Sequence, residues 1–458
     1  MRSNHMPGIM LLRACVAAAS IMLPSAQAGL WNTAYYAGWT QWQHLPAERV
    51  DFSAMTHVIH FAVVPKADGT LDSDINGVTA GHSAEVLTHA HAVATKVLIS
   101  VGGAGSATAF RAACRAEFLP TFINNIVTFA RSRGYDGVDL DWEPLQATDA
   151  APFSNLVNGL RTALNAHTPR PLLTAAAAAQ PGLLAGLQNQ FDQINLMTYD
   201  LAGPWPGWVI WFNSAVSDGG YRLPGTGSPL PSAEGMVASF ITAGLAPNKL
   251  GVGIDFYGRV WSGGTGTTTG GAALPRQAWT TAPSMAYKAY HEIMASYYQP
   301  QHHAWDAATQ AAYLSIDQAG SADDKFISYD DAATCRAKVQ YATRRGLGGV
   351  MIYELGGGYR PDQADGLRDP LLQAVKQALR DTFVITEVQR VGGDVRVTFS
   401  SAIGQSYLLQ WSPDPGSGSW ETVTRVTATG LSTQVTDPGG AGQPRRFYRV
   451  AENRAVTP

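Results

Sequence analysis

At 458 residues, with 45% hydrophobic side chains and 12 Trp, the chain is long enough for two domains and apolar enough for a sizeable core. Its formal net charge of -3 suits neither nucleic acid nor an anionic membrane surface, and a neutral substrate fits better. No run is long and apolar enough to span a bilayer.

The N-terminal 28 residues read as a secretory signal, with Arg2 and Arg13 as the positive region, Ala14 to Leu23 as the apolar stretch and Ser25-Ala-Gln-Ala28 as the cleavage site. Losing both arginines takes the formal charge from -3 to -5. The expected destination is outside the cytoplasm, extracellular or periplasmic. Cys15 leaves with the signal; Arg13 beside it argues against a lipid-modified cysteine. Cys114 and Cys335 remain, an even pair that an oxidising compartment allows to form one disulfide. His89, His91, His302 and His303 lack the further ligands that a zinc site needs, so no metal and no cofactor is expected.

Eight strand-like runs follow with helical patterns between them: Thr33 to Trp39, Thr56 to Val63, Lys96 to Val101, Gly137 to Trp142, Pro171 to Ala176, Gln193 to Thr198, Leu250 to Phe256 and Gly348 to Tyr353. Strands alternating with helices make a parallel sheet, and eight of them argue for a closed (β/α)8 barrel over residues 29–380. The active site of such a barrel lies at the C-terminal ends of its strands. Glu143, Ser100-Val-Gly-Gly103, Met197-Thr-Tyr-Asp200 and Asp255-Phe-Tyr-Gly-Arg259 all fall there. Trp205, Trp208 and Trp211 sit in a Gly/Pro-rich stretch, where they either offer flat faces to sugar rings or plug the barrel top; Trp39 and Trp42 carry the same two readings.

Between the seventh and eighth strands the gap is too long for a loop, which points to an α+β insertion at about 262–340, with a helix over Tyr287 to Tyr298 and strands at Ala312 to Ser315 and Lys325 to Ser328. After Arg380 the pattern changes to alternation, in Val395 to Phe399, Tyr407 to Trp411, Trp420 to Val426 and Arg446 to Val450. Residues 381–458 are therefore expected to form a small β-sandwich whose aromatic residues fill its own core.

The fourth run carries the chemistry. At strand period, Asp139, Asp141 and Glu143 share one face, and Val138, Leu140 and Trp142 share the other. A row of carboxylates on a buried strand costs desolvation that fold stability does not explain. A calcium loop is excluded, because its sixth position needs Gly and here holds Pro144. Asp141 and Glu143 project the same way from Cα atoms ~6.6 Å apart by strand rise, so they serve poorly as partners on opposite faces of a sugar. A nucleophile carried by the substrate is the more natural solution. Clustered acids should raise the pKa of Glu143 and couple Asp139 to Asp141.

Asp136-Gly-Val-Asp139-Leu-Asp141-Trp-Glu143 resembles the DxxDxDxE motif of glycoside hydrolase family 18, the chitinases and their relatives. Ser100-Val-Gly-Gly103 resembles that family's SxGG, Met197-Thr-Tyr-Asp200 its MxYD and Tyr257-Gly-Arg259 its YGR, while the segment ending in Phe326-Ile-Ser-Tyr-Asp-Asp331 is similar to its insertion domain. The resemblance implies a secreted retaining hydrolase of β-1,4-linked N-acetylglucosamine chains, acting on chitin or chitooligosaccharides through an oxazolinium intermediate. It implies Glu143 as general acid/base, Asp141 as the group that positions the acetamido group, Asp139 as the partner that shares a proton with Asp141, and Tyr199 as a donor to the acetamido oxygen. Substrate contacts would come from Asp200, Met197, Tyr353, Trp39, Tyr35, Tyr257, Arg259 and Trp205, with Asp136, Ser100, Gly102 and Gly103 supporting the site. Tyr353 stands where the family usually has Trp, and Asp255 where many relatives have Pro. An endo-β-N-acetylglucosaminidase acting on N-glycans is the alternative that Tyr353 keeps open. A non-catalytic chitin-binding lectin is the alternative of another class, which the intact Glu143 disfavours.

Overall fold

The computed structural model describes residues 30–452 apart from 320, 322, 381–384, 402–405, 415–418, 431 and 444. The expected signal segment lies outside the described residues. All eight expected strands form: Trp31–Ala37, His57–Pro65, Lys96–Gly103, Gly137–Trp142, Leu172–Ala177, Gln193–Leu196, Leu250–Asp255 and Gly349–Tyr353. Each pairs in parallel with its neighbours, and the first pairs with both the second and the eighth, so the sheet closes into a (β/α)8 barrel.

Local sequence explains how the fourth strand is delivered. The preceding helix, Leu119–Arg133, has Pro120 in its first turn, where the missing N–H costs nothing, and stops at Gly134, which is left-handed with φ 87°. Three residues later Gly137 enters the sheet. The helix that follows, Ala150–Asn165, buries Phe153, Leu156, Val157, Leu160 and Leu164, a stripe at helical period that covers the outer face of the barrel. Trp142 belongs to that outer layer, stacked on Phe110 with ring centroids 4.5 Å apart.

The insertion is a five-stranded antiparallel sheet, in spatial order Ser284–Ala289, Tyr257–Ser262, Lys325–Tyr329, Ala311–Ile316, His303–Asp306. Its helix is Tyr290–Ser296, shorter than expected, because Tyr287 lies in a strand opposite Arg259. The sheet also begins earlier than expected, at Tyr257, directly after the seventh barrel strand. C-terminal to the barrel are two three-stranded antiparallel sheets. They share a core of Val395, Val397, Phe399, Tyr407, Leu409, Ala428 and Val435, contributed from both sheets. Cys114 and Cys335 are separate buried thiols, not a disulfide. Among the described residues no helix is long and apolar enough to cross a membrane.

Candidate active site

Register in the barrel decides what Asp139 meets. It lies level with Ser100 on the third strand and Thr174 on the fifth. Its carboxylate accepts from Ser100 Oγ at 3.0 Å, Thr174 Oγ1 at 2.6 Å and, from the first strand, Tyr35 Oη at 2.9 Å. Asp139 is fully buried, and burial raises its pKa although the three hydroxyls oppose the rise.

The expected proton-sharing between Asp139 and Asp141 is not the arrangement found. Asp141, 3% exposed, hydrogen-bonds Glu143 instead. Hydroxyls from three strands engage Asp139, and Asp141 Oδ1 has no partner. Two carboxyl groups in contact must hold a proton between them. Burial raises Asp141 well above the usual carboxylate range, with the charges of Glu143 and Asp139 adding to it, and burial also raises Glu143.

The end of the third strand shapes the floor beside this pair. Gly102 has φ +119°, and a Cβ there would overlap the Asp141 carbonyl oxygen; a Cβ on Gly103, at φ +108°, would come within 2.9 Å of the Phe61 ring. Ser106 then fastens the end of the fourth strand, donating to Asp141 O at 3.2 Å and accepting from Glu143 N at 3.3 Å.

Above the acids, Tyr35, Phe61, Tyr199, Tyr257 and Met351 form one apolar cluster, with Trp39, Met197 and Tyr353 packed against it. Tyr353 is ringed by Tyr35, Phe61, Tyr199 and Tyr257 at centroid distances of 5.7, 5.7, 6.0 and 6.4 Å. The Tyr199 hydroxyl donates to Met351 Sδ at 3.7 Å, a weak acceptor that a better one can replace. Asp200, in the left-handed region at φ 57°, is paired with Arg259 at 2.6 Å, and that guanidinium also lies 5.7 Å over the Tyr257 ring.

The loop tryptophans divide between the two readings. Trp211 is fully buried and donates to Pro231 O, so it plugs the fold, whereas Trp205 is 46% exposed and stands edge-on to Trp208. Trp39 packs on Phe61, and Trp42 is 62% exposed. Asp136 is at the other end of the strand, accepting from His91, Lys96 and the Val97 amide, so it ties the barrel's base and not its mouth. Thr174, Phe61, Ser106 and Met351 are the site residues that the sequence reading did not single out. Thr174 alone left a signal, as the one hydroxyl in the run Leu172-Leu-Thr-Ala-Ala-Ala177. Among the described residues no cluster of three or more His, Cys, Asp or Glu is arranged to hold a metal ion.

The chain is 29% identical over 375 residues to chitinase A1 of Niallia circulans, covering 74% of this chain and 51% of that one. It is 28% identical over 373 residues to a class V chitinase of Arabidopsis thaliana, covering 76% and 92%. Similarity extends to human chitinase-3-like protein 2, 25% identical over 367 residues and covering 75% of this chain and 91% of that one. The chain thus spans about half the length of some relatives and most of others. Among solved structures, the class V chitinase of Nicotiana tobaccum, a Glu-to-Gln mutant in complex with NAG4, superposes with TM-score 0.61 at 25% identity, covering 76% of this chain and 99% of that one. The Ostrinia furnacalis group IV chitinase, at 22% identity, shares the fold with TM-score 0.65, covering 77% and 99%. The model of glycosyl hydrolases family 18 matches residues 32–358, which takes in the whole barrel mouth, its insertion and all three acids: the chain belongs to that family.

Proposed function

We propose that the protein is a secreted chitinase that hydrolyses β-1,4-linked N-acetylglucosamine chains with retention, the substrate's own acetamido oxygen acting as nucleophile. The observation that carries this reading is the contact between Asp141 and Glu143. A protein nucleophile and its acid must stand about 5–5.5 Å apart across a sugar, and an inverting pair about 6.5–9.5 Å apart. Carboxyls joined by a hydrogen bond leave no room for a ring between them, so both act from one side. Glu143, taking the proton that it shares with Asp141, protonates the leaving oxygen and then serves as base toward water, which leaves Asp141 ionised. Asp141 accepts the acetamido N–H and so turns the carbonyl oxygen toward the anomeric carbon, stabilising the positive charge that develops there. Tyr199 exchanges its sulfur acceptor for that carbonyl oxygen.

Relatives named as chitinases, and a similar structure holding NAG4, support chitin or chitooligosaccharides as the substrate class. Tyr353 favours one further reading, cleavage within the core of N-linked glycans, because a Tyr floor offers a smaller stacking face than the Trp usual in the family. Digestion separates the two. Soluble product from colloidal chitin, and none from a high-mannose glycoprotein, is the expected result, and the reverse outcome sinks the chitinase reading. Glu143→Gln should lower turnover ~100-fold or more; activity within a few-fold of wild type would exclude Glu143 as the acid.

A further inference from the structure

Behind the barrel mouth lies a buried ionic cluster that the mechanism above does not use. Asp255 ends the seventh strand, Asp330 follows the insertion's strand Lys325–Tyr329, and Lys338 comes from the helix Ala332–Arg344. Lys338 and Asp255 are fully buried and Asp330 nearly so. The ammonium contacts Asp330, lies 3.2 Å from Asp255 and donates to Ser214 Oγ. Asp255 also accepts from Asn213 Nδ2 at 2.6 Å.

Asn213 and Ser214 are consecutive, and between them they grip both flanks of the Tyr199-Asp200 pair. Ser214 Oγ donates to Thr198 O at 2.9 Å, one residue before Tyr199, and Leu201 N donates to Asn213 O at 3.0 Å, one residue after Asp200. Asn213 N is itself fixed to Ser328 Oγ at 2.7 Å. The segment so held contains a non-glycine residue in the left-handed region, Asp200, a conformation that persists only where surrounding structure enforces it. A buried ion cluster has few alternative arrangements, because every displaced donor or acceptor is left unpaired. We infer that Asp255, Lys338 and Asp330 form a positioning device that sets Tyr199 and Asp200 toward the substrate, acting through Asn213 and Ser214. The inference rests on the proposed roles of Tyr199 and Asp200 as substrate contacts. It also gives a purpose to Asp255, the buried acid that ends the seventh strand.

A double-mutant cycle tests it. Asp255→Asn keeps the shape and changes the charge, and Ser214→Ala deletes one hydroxyl, so the second remains informative if the first does not fold. Each is combined with Tyr199→Phe and assayed on a chitooligosaccharide, with melting temperature as a control on folding. Misplacing a substrate contact should lower kcat by about tenfold for each single variant. On the Tyr199→Phe background the same changes should cost less than about threefold, since one of the two groups they position is already gone. A full tenfold loss on that background, or no loss in the single variants, overturns the inference. The same cycle read as chitooligosaccharide dissociation constants on a Glu143→Gln background needs no turnover. If the wild-type protein hydrolyses nothing, the proposed function fails, while additive or coupled binding effects still decide the positioning role.

Discussion

Glu143 is pulled in two directions by its neighbours. Burial raises its pKa most, the hydrogen bond from Asp141 lowers it, and the charge of Asp200 raises it. A general acid works only while protonated, so a raised pKa carries the active range toward higher pH and places the alkaline limb of the rate profile on Glu143. Removing the Asp200 charge in Asp200→Asn takes away one raising influence. It also frees the Arg259 guanidinium, which is paired with Asp200 at 2.6 Å, and an unpaired cation nearby favours the ionised carboxylate as well. Both changes have the same sign, and the alkaline limb of kcat/KM should move to lower pH. An unmoved or upward-shifted limb would mean that another group controls it.

The end of the third strand and the end of the fourth form one structural unit, joined at Gly102 and Ser106. Because a Cβ on Gly102 has nowhere to go but into the Asp141 carbonyl, Gly102→Ala should cost about 3 kcal/mol or more and abolish turnover. Gly105, a little further along the chain, also has positive φ, at 81°, but faces open space, so Gly105→Ala should cost only about 1–2 kcal/mol. Urea unfolding of the two variants checks the difference; equal midpoints would show that backbone conformation, not the approach to Asp141, is what Gly102 supplies. This contrast also marks what is legible in the sequence. Parallel strands buried on both faces are continuous apolar runs, so all eight can be read directly, and the acids stand out because they interrupt one of them. Contacts between strands are less legible. Which hydroxyls reach Asp139 depends on barrel register. Met351 and Phe61 are apolar residues on apolar strands and carry no mark of their position. Tyr287 looks helical in isolation, because a segment that joins a sheet only through Tyr257–Ser262, with Tyr287 opposite Arg259, shows nothing local to betray it.

On the scale of the whole molecule, two of the hydrophobic clusters belong to different units. One runs through the barrel and its helices, and the other comprises residues of the C-terminal sheets alone. Aromatic faces on those sheets are covered from within: Arg446 lies 3.9 Å over the Trp411 ring, and Arg449 lies 4.4 Å over Trp420. Arg446 is held in turn by Asp437, which also accepts from Tyr448 Oη at 2.6 Å. A guanidinium stacked on an indole occupies the face that a sugar ring would need, and displacing it forfeits both the cation–π contact and, for Arg446, its ion pair. The C-terminal unit is therefore poorly suited to hold chitin through these two tryptophans. A chain ending at Arg380 should keep its turnover of soluble chitooligosaccharides within about twofold of the full chain, since changes in independent units add without coupling. It should also sediment with colloidal chitin to the same extent, retained through the exposed Trp42 and Trp205 of the barrel unit. A marked drop in sedimentation would reveal a polysaccharide-binding surface on the sheets other than the Trp411 and Trp420 faces. A drop in turnover of soluble substrate alone would instead show that the two units are coupled through the barrel mouth.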